Sequence, residues 1–138
     1  MKWVTWMGVG IDRMACAWLI RRRIDPEAQF LFIPEGSNAL PHDATPFDIP
    51  GVRFSHHGGR CSLQALLATY DLADPILARI ARIVDEADTV QEVELEPAAP
   101  GLDLICRGLR RISPDDHAAV ELGLTLYDAL YAQLESER

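Results

Sequence analysis

The chain has 138 residues, 49% hydrophobic and 25% charged, and a formal net charge of −8 from 13 basic and 21 acidic side chains. That length supports one core of real size rather than two, with the composition of an ordinary globular domain. The acidic surplus excludes a chain that coats nucleic acid by itself, which needs excess cations against phosphate. It also excludes one drawn to an anionic membrane surface.

Lys2 to Trp6 alternates weakly and is rich in β-formers, which predicts a short strand. Gly8 and Gly10 mark a turn. Asp12 is placed to cap a helix running to about Ile24, with Met14, Cys16, Trp18 and Leu19 inward. Asp25-Pro26 stops it, because the residue before proline avoids helical angles. Gln29 to Ile33 (QFLFI) is a compact apolar run and a second strand. Residues 34–50 hold four prolines and read as a long loop. Phe47, Ile49, Val52 and Phe54 predict one edge-type strand broken by Pro50.

The rest is helical. Ser62 is a candidate N-cap for a helix from Leu63 to Tyr70, and Asp74-Pro75 opens the next, with Ile76, Leu77, Ile80, Ile83 and Val84 as its buried stripe. VQEVELEPAAPG reads as a linker with a short strand at Val90 to Leu95. Leu102, Ile105, Cys106, Leu109 and Ile112 mark a further helix. Ser113-Pro114-Asp115-Asp116 caps the last, from Asp116 to Gln133, whose core face carries Val120, Leu124, Tyr127, Leu130, Tyr131 and Leu134. The prediction is one α+β domain over residues 1–138: a small N-terminal sheet of two to four short strands packed against about five helices, with a helix-rich C-terminal two-thirds.

Cys16, Cys61 and Cys106 form no CxxC pair, which predicts reduced thiols and a cytoplasmic protein. The apolar N-terminus is short, broken by glycines and followed by Asp12 and Arg13, unlike a signal peptide, and no run reaches membrane-spanning length.

SHHGGRCS, residues 55–62, is the stretch that does not read as packing. His56, His57 and Cys61 are nitrogen and sulfur donors suited to zinc or another transition metal. Gly58 and Gly59 permit positive φ, and Arg60 with a following helix start would favour an anion. Cys61 at a helix start beside Arg60 and a histidine would have a lowered pKa, and so could act as a nucleophile. A plain polar turn is the remaining reading. Adjacent histidines on a strand point to opposite faces, so one of the two is expected to serve a given site.

DRMACAWLIRRR is the second candidate. Asp12 and Cys16, four apart, share a helical face and would complete a metal shell with His56 or Cys61, while Arg13 would reach an anion. The bland alternatives are a buried structural Cys16 and a solvated helix end at Arg21 to Arg23. His117, Glu121 and Asp128 line one side of the last helix, as ligands or as an amphipathic boundary. Asp85 and Asp88 sit at a helix end, where carboxylates oppose the dipole.

Taken in order and spacing, KWVT, IDRMACAWLIRRRIDPEAQFLFIP, TPFDIPGVRFSHHGGRCS, ARIVDEADT and PDDHAAVELGLTLYDALYA resemble the C-terminal domain of the ChrB family, from Lys2 to Ala132. Family members more often carry proline and an aromatic residue where this chain has Ala17 and Arg23. The resemblance implies a chromate-responsive domain associated with chromate resistance, without the DNA-binding part. It raises SHHGGRCS and DRMAC to one expected site: Asp12, Cys16, His56, His57 and Cys61 toward a metal (Zn, Fe or Mn), and Arg13, Gly58, Gly59 and Arg60 toward a small oxyanion. Chromate also oxidises thiols, which would make a pocket cysteine a redox reporter. Three classes remain open: a metal- or oxyanion-binding module, a small metal- or thiol-dependent enzyme, and an interaction or homodimerisation domain without ligand.

Overall fold

The computed structural model describes residues 1–88 and 95–138. β1 (Lys2–Trp6) is the centre of a three-stranded, all-parallel sheet, with β2 (Gln29–Ile33) and β3 (Ala44–Pro46) on either side. Lys2 to Trp6 pair in register with Gln29 to Ile33, and Lys2 to Val4 with Ala44 to Pro46. Trp3, Val4 and Thr5 are all fully buried, because a central parallel strand is covered on both faces. That is why β1 shows so little alternation in sequence.

β3 lies inside the stretch expected to be loop. The strand expected from Phe47 to Phe54 is reduced to a single bridge between those two residues, although Phe47 N–H still donates to Val4 C=O at 3.0 Å. Asp48, at φ 51°, turns the chain out of the sheet there.

α1 (Ile11–Leu19) is buried at every position but Arg13, and touches all four of the other helices: α2 (Ser62–Thr69), α3 (Pro75–Asp88), α4 (Ala98–Ile112) and α5 (Asp116–Ser136). Among the described residues, five helices against a small N-terminal sheet make the α+β arrangement expected. α4 begins four residues earlier than Leu102 and α5 runs past Gln133 to Ser136. Of the strand expected at Val90 to Leu95, all but Leu95 lies outside the described residues. Asp115 caps α5, accepting Ala118 N–H at 2.8 Å. α1 and α5 pack closely because position 123 is glycine: a Cβ there would meet Met14 at 3.3 Å. Trp18 stacks on Tyr127 at 5.6 Å between centroids, and the Tyr127 hydroxyl donates to Ile11 C=O at 2.8 Å.

α1 does not end at Leu19 but widens into a π turn, Ile20–Ile24, closed by Asp25 N–H on Ile20 C=O at 2.6 Å. The arginines on it are all paired, although Arg22 and Arg23 remain exposed to solvent. Arg21 donates to Ala28 C=O at 2.9 Å and covers the Phe30 ring. Arg22 grips Asp128 with two bonds of 3.0 and 2.8 Å, and Arg23 pairs with Asp74 at 3.2 Å over the Tyr131 ring. Arg23, one of the two places where the chain departs from the family pattern, thus lies on an aromatic face of α5.

Asp128 also accepts the Trp18 indole N–H at 2.8 Å, so its loss leaves a half-buried donor without a partner. Asp128→Ala is expected to lower unfolding stability by about 1–3 kcal/mol in urea titration. Glu121→Ala, removing a 3.5 Å pair between Arg21 and an exposed carboxylate, is expected to stay within about 0.5 kcal/mol of the parent.

Candidate functional site

In parallel sheets, ligands bind beyond the carboxyl ends of the strands, where the chain switches from one side of a strand to the other. That place here is the end of β1, flanked by β2 through α1 on one side and by β3 on the other. A cavity of about 340 Å³ opens there, lined by Trp6, Gly10, Asp12, Arg13, Glu35, Asp48, Ile49, Pro50, His56 and Asp88 among others.

Four elements bring the polar groups to it. The first turn of α1 supplies Asp12, the loop after β3 supplies Asp48, the segment before α2 supplies His56, and the end of α3 supplies Asp88. One carboxylate oxygen each from Asp12 and Asp48 and one ring nitrogen of His56 lie within 4.8 Å of one another. His56 Nε2 is 2.8 Å from Asp88 and 3.5 Å from Asp12, and its Nδ1 is 3.9 Å from Asp48.

Asp12 is almost fully buried and is held by another helix. Its Oδ2 accepts Ser62 N–H at 2.8 Å and its Oδ1 accepts Leu63 N–H at 3.1 Å, the orphan amides of the first turn of α2. The Cys16 thiol donates to Oδ1 at 3.5 Å. Burial and then the Asp48 charge push the Asp12 carboxyl up to about 7, against the Ser62 amide, which holds it down. Asp48 is fixed from every side. Its N–H donates to Phe54 C=O at 2.6 Å, its Oδ1 accepts the Ser62 hydroxyl at 2.6 Å, and Arg13 donates to its C=O at 2.9 Å. The Arg13 Nε also sits 3.0 Å from its carboxylate, too poorly aimed for a hydrogen bond but close enough for an ion pair. Burial raises Asp88, with His56 opposing; burial lowers His56, but the Asp88 bond and the charges of Asp12, Asp88 and Asp48 prevail and hold it above its ordinary value.

The residues singled out from sequence divide. Asp12 and His56 meet in the cluster. His57 turns away, its Nε2 2.9 Å from Arg53 C=O and 3.4 Å from the Ser55 hydroxyl. Cys61 points inward, its thiol toward Ala81 C=O at 3.8 Å. Burial and the Asp12 charge raise the Cys61 thiol far above its usual range, which corrects the expectation of a lowered pKa. Cys16 is raised likewise by burial and then Asp12. Cys106 is raised to about 11 by burial.

Gly58 (φ 56°) and Gly59 (φ 78°) make a tight turn of the type I′ pattern, with His57 and Arg60 exchanging backbone bonds of 3.1 and 3.0 Å across it. Their positive φ is therefore used in turning the chain. Arg60 is exposed beyond that turn, and Arg13 is occupied by Asp48 and by the carbonyls of Trp6, Met7 and Gly8. The helix-start amides expected to face an anion are taken by the protein's own Asp12. Asp85 accepts Cys61 N–H at 2.6 Å and Gln64 Nε2–H at 3.0 Å, so it too braces the start of α2. Asp128 and Glu121 bind arginines, and His117 meets the Phe32 ring edge-on, so that line along α5 does not converge.

Asp48 is the cluster member that sequence reasoning passed over. Nothing in PFDIPG distinguishes it from other loop acids. Asp88 did leave a signal, as a carboxylate kept at the wrong end of a helix.

The fold and the cluster define a small α+β domain with a carboxylate-rich pocket at the end of its central strand. A family model for the C-terminal domain of ChrB matches residues 3–134, and the chain belongs to that family. It is 40% identical over 139 residues to protein ChrB of Cupriavidus metallidurans strain CH34, an alignment covering 99% of this chain and 42% of that protein. The chain thus spans less than half the length of that relative. No solved structure matches it. Among the described residues no helix is long and apolar enough to cross a membrane.

Asp12, His56 and Asp88 all have folded pKa values above their ordinary ones. Stability from such groups is complete below the unfolded pKa and is lost as pH rises through the folded one. Without added cation, the protein is therefore expected to lose stability between pH 4 and pH 7 as Asp12 ionises. Thermal unfolding across that range checks this, and the slope is expected to flatten in Asp12→Asn.

Proposed function

We propose that this domain is a cation-binding module of a chromate-resistance protein, with Asp12, Asp48 and His56 as ligands and Asp88 as a fourth donor or as the partner that orients His56. The observation that carries the reading is the 4.8 Å convergence of two buried or nearly buried carboxylates and an imidazole in an open cavity. Three carboxylates around one imidazole repel one another and oppose their own ionisation, and a divalent cation relieves that cost. Oxygen donors with one nitrogen suit manganese or ferrous iron better than a thiolate zinc site would, because both nearby thiols are buried and protonated.

The same electrostatics disfavour a naked oxyanion. The cavity wall is acidic, and its arginine is already bound to Asp48. The cavity of about 340 Å³ exceeds what a bare ion fills. A tetrahedral oxyanion such as chromate would enter as a further ligand of the cation, not as a guest of guanidinium or amides. This also accommodates the reading as a small metalloenzyme with an open coordination position.

Titration calorimetry with Mn²⁺ at pH 7.5 is expected to give one site per chain. The affinity is expected to fall at least tenfold in Asp48→Asn and in His56→Ala and to be unchanged in His57→Ala. Chromate or sulfate is expected to bind only after the cation. No heat with Mn²⁺, Fe²⁺ or Zn²⁺ would sink the proposal, and so would binding that survives both variants.

A further inference from the structure

We infer that Glu35 steers the cation into this pocket: it is a carboxylate at the mouth that raises the rate of capture, not a ligand that holds the ion. The inference rests on the cation-binding reading above. Four carboxylates line the cavity, from Asp12, Glu35, Asp48 and Asp88. Three of them are engaged. Asp12 accepts the first amides of α2, Asp48 takes the Ser62 hydroxyl and pairs with Arg13, and Asp88 binds His56. Among the described residues the Glu35 carboxylate has neither a hydrogen bond nor an ion pair, and it is exposed to solvent. It also stands outside the group whose donor atoms converge within 4.8 Å.

The backbone beneath it is firmly mounted. Pro34 to Ser37 form a turn directly after β2, closed by Ser37 N–H on Pro34 C=O at 3.0 Å. Gly36, at φ 87°, fills the third position, where a type II turn takes glycine. The turn is fastened to the end of β1 twice: the Trp6 indole N–H donates to Ser37 C=O at 2.9 Å, and Met7 N–H to Ile33 C=O at 2.8 Å. Glu35 therefore reaches the cavity from the β2 side, whereas the other charged groups come from α1, the loop after β3, the segment before α2, and α3. An unpaired charge fixed over an acidic cavity deepens the attraction felt by an approaching cation. It makes no contact that must break for the cation to leave. In water, a unit charge raises the local concentration of a divalent ion roughly 10 Å away about fourfold. Most of that gain survives at an ionic strength of about 0.01 M, where the Debye length is about 30 Å, and little of it at about 0.3 M.

Stopped-flow uptake of Mn²⁺, followed with a fluorescent indicator of the free ion, tests this at both ionic strengths. The proteins are the full chain, Glu35→Gln, Glu35→Lys and, as control, Glu137→Gln. Glu137 is also exposed, and its neutralisation changes the net charge of −8 by the same unit as Glu35→Gln. It lies past the far end of α5, whose first residue, Asp116, holds Gly8 at the cavity wall; 21 helical residues separate the two ends by about 30 Å. At about 0.01 M, Glu35→Gln is expected to slow association about threefold and Glu35→Lys about eightfold, with dissociation unchanged. At about 0.3 M both are expected to come within about twofold of the parent, and Glu137→Gln to match the parent throughout. Association at the parental rate in both Glu35 variants would overturn the inference. So would an affinity loss carried by faster dissociation, which would make Glu35 a ligand, and so would a slowing that Glu137→Gln shares, which would reduce the effect to net charge. Those outcomes leave the cation site standing; a parent chain that takes up no Mn²⁺ overturns the site and the steering together.

Discussion

The fold turns on a carboxylate that should be expensive to bury. Asp12 is in the first turn of the central helix, almost without solvent, and takes both orphan amides that open α2. A helix start left bare in a protein interior would strand those donors, and a lone buried carboxylate would shed its charge by protonation. Each defect satisfies the other. The same contact brings α2 against α1, and with it the turn that carries His56, so the packing of the domain and the position of its polar cluster have one cause.

The cap does not satisfy Asp12 completely. It shares its cavity with Asp48, Asp88 and His56, and the α2 amides offset only part of the repulsion, which is why its carboxyl stays near 7 rather than near 4. Asp48 tells the same story through the backbone. A non-glycine residue at φ 51° is held in an unfavourable conformation by four anchors: Phe54, Ser62 and two groups of Arg13. Strain and repulsion kept in one place, and compensated by surrounding contacts, support the proposed reading of this cluster as a binding site.

Regular structure was legible where local pattern and tertiary role agree. Gln29 to Ile33 reads as a strand and is one, and Asp115 reads as a cap and is one. β3 escaped notice because its three residues lie among prolines and pair only with β1, a partner far away in sequence. The π turn escaped because nothing in IRRRI distinguishes a wide turn from an α turn; it follows from where Arg21, Arg22 and Arg23 find Phe30, Asp128 and Asp74. α4 was legible from its apolar spacing, although two of the residues that mark it, Ile105 and Ile112, point to solvent.

The site was legible by residue type and not by geometry. Asp12 and His56 were both in view, and alternation along an extended segment matches the different facing of His56 and His57. What no local rule supplies is which histidine, or that Cys61 turns inward as the N-cap residue of α2. Both follow from the Gly58-Gly59 turn, which reverses the chain immediately before α2 and so sends His56 and Cys61 to opposite sides. The glycines that look like an anion cradle act as the hinge that sorts the donors, and the pocket is left with oxygen and imidazole while the thiols pass into the core. An electrostatic consequence follows for the proposed function: with its thiols protonated, its acids buried and its arginine tied to Asp48, the pocket suits a cation better than an anion.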